Sequence, residues 1–139
     1  MLHCEISIES LRTELCRIVA LTEHFAIENG LDAGIVNDIQ IALDEALSNI
    51  LAYGYETGGI IVVRLAYQDG EVCVEIEDEA RAFDPLQAPP PKLDADLMQR
   101  QIGGLGIHLI RSLMDTVCYD RRDGKNVLRL IKRVPREPW

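Results

Sequence analysis

The chain has few aromatic residues, few basic residues and no long apolar run. Aromatic residues make up 5% of its 139 residues, and 14 lysines and arginines stand against 23 acidic residues, so the formal net charge is -9. A basic face is what neutralises the phosphates of a nucleic acid, so the acidic balance argues against direct nucleic-acid binding. No apolar run approaches the roughly 20 residues of a transmembrane helix, and we therefore expect no membrane association.

Redox motifs and export signals are also missing. The four cysteines, Cys4, Cys16, Cys73 and Cys118, form no CxxC motif of the kind that thiol redox and zinc sites use. Because Cys4, Cys73 and Cys118 lie in apolar, strand-like runs, we expect them to be reduced thiols in the core. The first ten residues, MLHCEISIES, contain neither the basic nor the apolar region of a secretion signal. We therefore expect a cytoplasmic protein.

What the chain does contain is a regular succession of helical and strand-like segments. These are a strand at 2–9, helices at 11–30 and 32–52, strands at 60–67 and 71–78, a helix at 107–115 and two strands within 116–133. Asp-Gly pairs separate the strands within each of the last two strand pairs and predict hairpins. The order β-α-α-β-β-loop-α-β-β predicts an α+β fold, a two-layer sandwich with a mainly antiparallel sheet and helices on one face.

The segment between Asp84 and Gly103 lacks a clear period. Three consecutive prolines at 89–91 exclude a regular helix at its centre. Loops of this length are usually functional or disordered, so we expect residues 86–102 to form a mobile lid. No linker divides the chain, and we predict a single domain over residues 1–134 followed by a loose tail at 135–139.

The second predicted helix carries a polar pair. Glu45 and Asn49 lie one helical turn apart, close to the side opposite the apolar stripe marked by Leu43. The pair is either a solvated surface pair or a carboxylate base beside an amide oxygen that holds a metal. Mg²⁺ takes oxygen ligands and often uses only one or two from the protein. Taken alone, the spacing leaves both interpretations open.

Two further segments have the chemistry to contact a nucleotide. Asp78 ends a strand, where its carboxylate is either an ordinary turn acid or an acceptor for an exocyclic amine such as that of adenine. Gly103, Gly104 and Gly106 precede an apolar helix, and such a loop can bring backbone amides close to phosphate oxygens. The loop lacks the Gly-Lys-Ser/Thr of a Walker A motif. Each signal is weak by itself.

In this order the three segments resemble the N, G1 and G2 boxes of the GHKL (Bergerat-fold) ATPases, in particular those of the anti-sigma-factor serine kinases. The N box of those kinases reads roughly EAxxNxxxHxY, and here it is EALSNILAYGY. Their G1 box commonly reads DxGxxFDP, and here it is DEARAFDP. The Phe-Asp-Pro match favours this branch over the histidine kinases. Two departures are Ala80, in place of the G1 glycine, and Tyr53, in place of the N-box histidine.

The resemblance implies roles for individual residues. Asp78 would read the adenine amine, and Asn49 would bind Mg²⁺. Glu45 would be the general base that takes the proton from a partner serine hydroxyl. The remaining ATP contacts would come from Phe83, Gly103, Gly104, Leu105 and Gly106.

The implied function is that of an ATP-dependent protein serine/threonine kinase in a partner-switching system. Such a kinase phosphorylates a STAS-domain antagonist and sequesters a sigma factor, with ATP and Mg²⁺ as cofactors, and members of the family often form homodimers. Two alternatives stay open. One is a non-catalytic ATP-binding partner switch, and the other is a regulatory or phosphatase-associated domain that binds ATP and signals to a different target. Both alternatives stay open because Ala80 departs from the G1 glycine.

Overall fold

The computed structural model describes residues 1–7, 11–53, 59–79 and 105–135. Within these ranges five strands and three helices follow the predicted order. They are β1 Leu2–Ser7, α1 Leu11–Glu28, α2 Ala33–Tyr53, β2 Ile60–Gln68, β3 Glu71–Asp78, α3 Leu105–Leu113, β4 Thr116–Arg122 and β5 Lys125–Arg133. The α+β class is confirmed. The expected lid at 86–102 lies outside the described residues. So do Phe83, Gly103 and Gly104, which we expect to contact ATP.

The five strands form one antiparallel sheet in the order β1-β2-β3-β5-β4. Two-residue loops connect β2 to β3 and β4 to β5. In the first loop φ is 54° at Asp69 and 76° at Gly70, and in the second it is 52° at Asp123 and 76° at Gly124. Positive φ at both central residues defines the type I′ turn, whose twist matches that of the flanking strands. The two Asp-Gly hairpin predictions are confirmed.

Local chemistry sets the boundary between α1 and α2. Gly30 adopts a φ of 66°, and the amide of Leu31 donates to the carbonyl of Ala26 at 3.0 Å, as in a Schellman motif. Two residues after the glycine, Asp32 Oδ1 accepts a hydrogen bond from the amide of Ile35 at 2.9 Å and caps α2. The glycine stop and the acidic cap therefore let α2 follow α1 with almost no linker.

One face of the sheet packs against the helices and forms the core. Alternate residues of β2 and β3 are buried there with the apolar stripe of α2, and each fully buried aliphatic side chain contributes about 1.5–3 kcal/mol. The main contributors are Ile39, Leu43, Leu47, Ile61, Val63, Leu65, Val72, Val74 and Ile76. No helix within the described ranges combines the length and the apolar character needed to cross a bilayer.

Cys16 lies in α1 and is exposed, and the other three cysteines divide between the two faces of the sheet. All four are free thiols, but only Cys4 is buried, whereas Cys73 is half-buried and Cys118 is exposed. The expectation of three core thiols is therefore right for Cys4 and wrong for Cys73 and Cys118. Cys73 and Cys118 each lie between residues that point toward the helices. The two-residue period of a strand therefore turns both thiols to the opposite face.

Candidate functional site

Lys132, near the end of β5, fixes the direction in which α2 and α3 run over the sheet. Its ammonium group donates to the carbonyl of Leu113 at 2.6 Å and pairs with Asp38 Oδ2 at 3.0 Å. The C-terminal end of α3 and the N-terminal half of α2 are thus held at the same end of the sheet. Lys132 is the cross-strand partner of Val72, near the start of β3, whereas Asp78 lies at the other end of that strand.

One side of α2 carries Asp38, Glu45 and Asn49. Their spacings of 7 and 11 residues are close to two and three whole turns, so the three side chains share one side of the helix. At 1.5 Å per residue, Glu45 and Asn49 lie about 10 and 16 Å along the axis from Asp38. Asp38, in the N-terminal half of α2, pairs with Lys132 of β5, and α2 as a whole packs chiefly against α3.

Glu45 and Asn49 are partly buried, whereas Asp44 and Ser48 are exposed. The expectation that the pair lies close to the side opposite the apolar stripe is therefore wrong. The reason is Ala42, which is fully buried and widens the stripe toward Glu45 and Asn49. An apolar stripe defined by the larger aliphatic residues alone leaves out this alanine and places the pair too far from the core. Partial burial also disfavours the interpretation of a solvated surface pair.

Glu45 has the electrostatic environment of a proton acceptor. Burial raises the pKa of its carboxyl group, and the neighbouring Asp44 carboxylate raises it further. A carboxylate with a raised pKa is a stronger base in its ionised form, and glutamates used as general bases are commonly tuned in this direction.

Asp78 is buried at the end of β3, with 6% of its surface exposed. Its cross-strand partner Asn126 on β5 donates from Nδ2 to Asp78 Oδ1 at 3.0 Å. On β4, the Tyr119 hydroxyl and Arg121 Nη1 donate to Asn126 Oδ1 at 2.5 and 3.1 Å. Sequence reasoning found the aspartate and missed the other three. The available signal was an asparagine at an inward-facing position of the apolar strand KNVLRLIKR.

The third helix begins two residues earlier than predicted, so Leu105 and Gly106 belong to its first turn. The amides of a first helical turn have no partner within the helix, and the helix dipole is positive at that end. These features favour an anion such as a phosphate chain. Because α3 ends beside Lys132, its first turn is the end of the helix away from that lysine.

The chemistry of these residues fits a nucleotide with a divalent cation. A buried carboxylate suits an exocyclic amine, and Asn49 and Glu45 offer oxygens on one side of α2. Across the described ranges, no group of three or more histidine, cysteine or acidic side chains is arranged to hold a metal ion. A cation held here would need oxygens from phosphates and water, which is how Mg²⁺ is commonly bound with nucleotides.

Comparisons with known proteins identify the family of the chain. Residues 8–132 match the histidine kinase-like ATPase domain family, and the chain belongs to that family. The serine/threonine-protein kinase BtrW of Bordetella bronchiseptica is 36% identical over 110 residues, which are 78% of each chain. The serine-protein kinase RsbW of Listeria monocytogenes is 32% identical over 106 residues, 71% of this chain and 67% of the relative. The anti-sigma F factor of Clostridium acetobutylicum is 26% identical over 106 residues, 70% and 69% of the two chains.

Proposed function

We propose that this chain is an ATP-dependent protein serine/threonine kinase that also acts as an anti-sigma factor in a partner-switching system. Its substrate is a STAS-domain antagonist, whose serine hydroxyl receives the γ-phosphate of ATP, and its other partner is a sigma factor. The names of the relatives, two protein kinases and an anti-sigma factor, support both activities. The net charge of -9 favours protein partners over direct contact with nucleic acid.

The observation that carries this proposal is the side of α2 shared by Glu45 and Asn49. Both are partly buried, one turn apart, on the side of α2 that also carries Asp38. In the proposed reaction Asn49 supplies its amide oxygen to Mg²⁺. Glu45 accepts the proton of the serine hydroxyl as that oxygen bonds to the γ-phosphorus and the bond to the β-γ bridging oxygen breaks. The raised pKa of Glu45 suits this role.

Nucleotide binding is assigned to the Asp78 end of the sheet. Asp78 accepts a hydrogen bond from the adenine amine, and its burial beside a fixed amide donor supports this role. Mg²⁺, when bound, neutralises charge on the phosphate oxygens. The resemblance assigns the remaining ATP contacts to Phe83, Gly103, Gly104, Leu105 and Gly106.

We further propose a cytoplasmic homodimer that contacts neither membranes nor nucleic acid directly. The support is the family resemblance together with the acidic composition. Light scattering on the purified protein should give twice the mass of one chain. A single-chain mass at micromolar concentration would contradict the dimer.

The test of the kinase uses a STAS-domain protein from the same organism, radiolabelled ATP and the variant Glu45→Gln, which keeps the shape and removes the base. Phosphorylation should fall by about 10²–10⁴-fold, the usual contribution of a general base, while ATP affinity changes little. Asn49→Ala should instead lose ATP affinity in the presence of Mg²⁺. Glu23→Gln, an exposed acid on α1, is the matched control and should react at the normal rate.

Two results would contradict the proposal in different ways. Normal phosphorylation by Glu45→Gln would remove Glu45 from the role of base. Tight ATP binding by the unaltered protein with no phosphorylation of its STAS partner would refute the kinase and leave the non-catalytic partner switch in its place.

A further inference from the structure

Asn126 occupies a place in the sheet where an asparagine is costly. It lies in β5, between β3 and β4, on the face covered by helices, and 6% of its surface is exposed. Asparagine is depleted in strands, and its amide is expensive to bury unless its polar atoms are hydrogen-bonded. The next inward residues of the same strand are Leu128 and Leu130. An apolar residue would satisfy packing here, so packing alone does not explain the amide.

Hydrogen bonds fix the direction in which this amide points. Tyr119 and Arg121 both donate to Oδ1 of Asn126, which leaves Nδ2 to face Asp78 Oδ1. The reverse orientation would set the amide oxygen against the Asp78 carboxylate and the amide nitrogen against a guanidinium group. A carboxylate can only accept and a guanidinium can only donate, so both of those contacts would be repulsive. The network therefore presents a donor to Asp78 and holds it there.

The donor from Asn126 bears on the orientation of the Asp78 carboxylate. Its terminal torsion has a broad, roughly two-fold energy profile, so the side chain's own rotamer preference does not set the plane of the oxygens. The hydrogen bond from Asn126 holds one oxygen of Asp78 and thereby favours one orientation of that plane.

We propose that Asn126 is a positioning residue for base selection, which holds the Asp78 carboxylate as an acceptor for the exocyclic amine of the nucleotide. This inference rests on the proposed function, because it takes the nucleotide site as given. Adenine carries an amine at position 6, whereas hypoxanthine carries a carbonyl oxygen at the same place. A carboxylate fixed as an acceptor attracts the amine and repels the carbonyl. Tyr119 and Arg121 act through Asn126 by keeping its amide in one orientation.

The experiment compares ATP with inosine triphosphate (ITP), which carries hypoxanthine in place of adenine. Calorimetry measures both affinities with Mg²⁺ for the unaltered protein, Asn126→Leu and Tyr119→Phe. The unaltered protein should prefer ATP by at least about 10-fold, the effect expected of a hydrogen bond to a charged group. Asn126→Leu should lower the ATP-to-ITP ratio by about 10-fold, with ITP affinity within about 3-fold of normal. Tyr119→Phe should lower the ratio by about 3-fold, because Arg121 still orients the amide.

Thr22→Val is the matched control. Thr22 is also a buried polar residue, 1% exposed, and its hydroxyl donates to the carbonyl of Ile18 in α1 at 2.8 Å. This variant loses a buried hydrogen bond away from the site, and its ATP-to-ITP ratio should equal that of the unaltered protein. A ratio that also fell in Thr22→Val would attribute the effect to general destabilisation and overturn the inference.

The outcomes separate this inference from the function on which it rests. If the unaltered protein prefers ATP and a folded Asn126→Leu keeps that preference, or loses ATP and ITP affinity equally, Asn126 is only structural. If Asn126→Leu does not fold, Tyr119→Phe decides, and an unchanged ratio in that variant overturns the inference. If the unaltered protein binds neither nucleotide, the nucleotide-binding function itself is refuted.

Discussion

Replacing Lys132 by methionine should lower the free energy of unfolding by about 2 kcal/mol. The ammonium group joins three elements, because it donates to the last residue of α3 at 2.6 Å and pairs with Asp38 of α2 at 3.0 Å. The Lys132 side chain is 17% exposed and that of Asp38 is 31% exposed, so water replaces these contacts poorly. Methionine keeps the apolar stem of lysine packed against the core and removes only the charged end.

The magnitude follows from the two contacts taken in turn. A hydrogen bond that involves a charged group contributes about 1.5–3 kcal/mol. The ion pair with Asp38 adds less than about 1 kcal/mol, because that carboxylate is still partly hydrated. Relief of the desolvation of the ammonium group offsets part of the sum, which places the net loss near 2 kcal/mol.

Urea unfolding followed by circular dichroism measures this loss. Arg133→Met is the matched control, since Arg133 is the adjacent residue, is 75% exposed and lies 3.8 Å from Glu71. That exposed pair should contribute less than about 0.5 kcal/mol. Asp38→Asn, alone and combined with Lys132→Met, should give a coupling energy of about 0.5–1 kcal/mol. A loss in Lys132→Met no larger than in Arg133→Met would refute the reasoning.

Two further predictions concern acidity and glycine. The proposed general base Glu45 must be ionised to accept a proton, and its pKa is raised. On that proposal the phosphorylation rate should fall on acidification at a higher pH than an ordinary glutamate would give, and a rate that rises with acidity would refute this. The stability that Glu45 contributes is lost as pH rises through its raised pKa, so Glu45→Gln should be no less stable than the unaltered protein at neutral pH. Gly124→Ala should lower the free energy of unfolding by about 1 kcal/mol, because φ is 76° at that position. Gly34→Ala in α2 should raise it by about 0.5 kcal/mol, and urea unfolding distinguishes the two variants.

Several features of the fold were predictable because their causes lie within a few residues. The Asp-Gly pairs predict both hairpins, since only residues that tolerate positive φ fit a type I′ turn. Gly30 ends α1 where the apolar period stops, and Asp32 caps the next helix. Helix ends were less certain by a residue or two, as with the start of α3 at Leu105, because fraying and tertiary contacts shift them.

The candidate site was predictable only in part. Glu45, Asn49 and Asp78 stand out in sequence because their residue types and order match a known pattern. The side of α2 that carries the first two was misjudged, since a small residue such as Ala42 adds little to an apolar stripe until a packed neighbour buries it. Asn126 was missed, because an isolated asparagine in a strand gives no indication of its partners.

By itself, the sequence determined the order and type of the elements, the tight turns and the helix caps, all of which depend on contacts between residues close in the chain. Only the tertiary structure decided which distant residues meet. Asp78 and Asn126 are 48 residues apart, and they face each other because the register of β3 with β5 pairs them. A register shifted by one residue would turn every side chain of the strand to the opposite face. That register is set by the packing of the whole sheet against its helices.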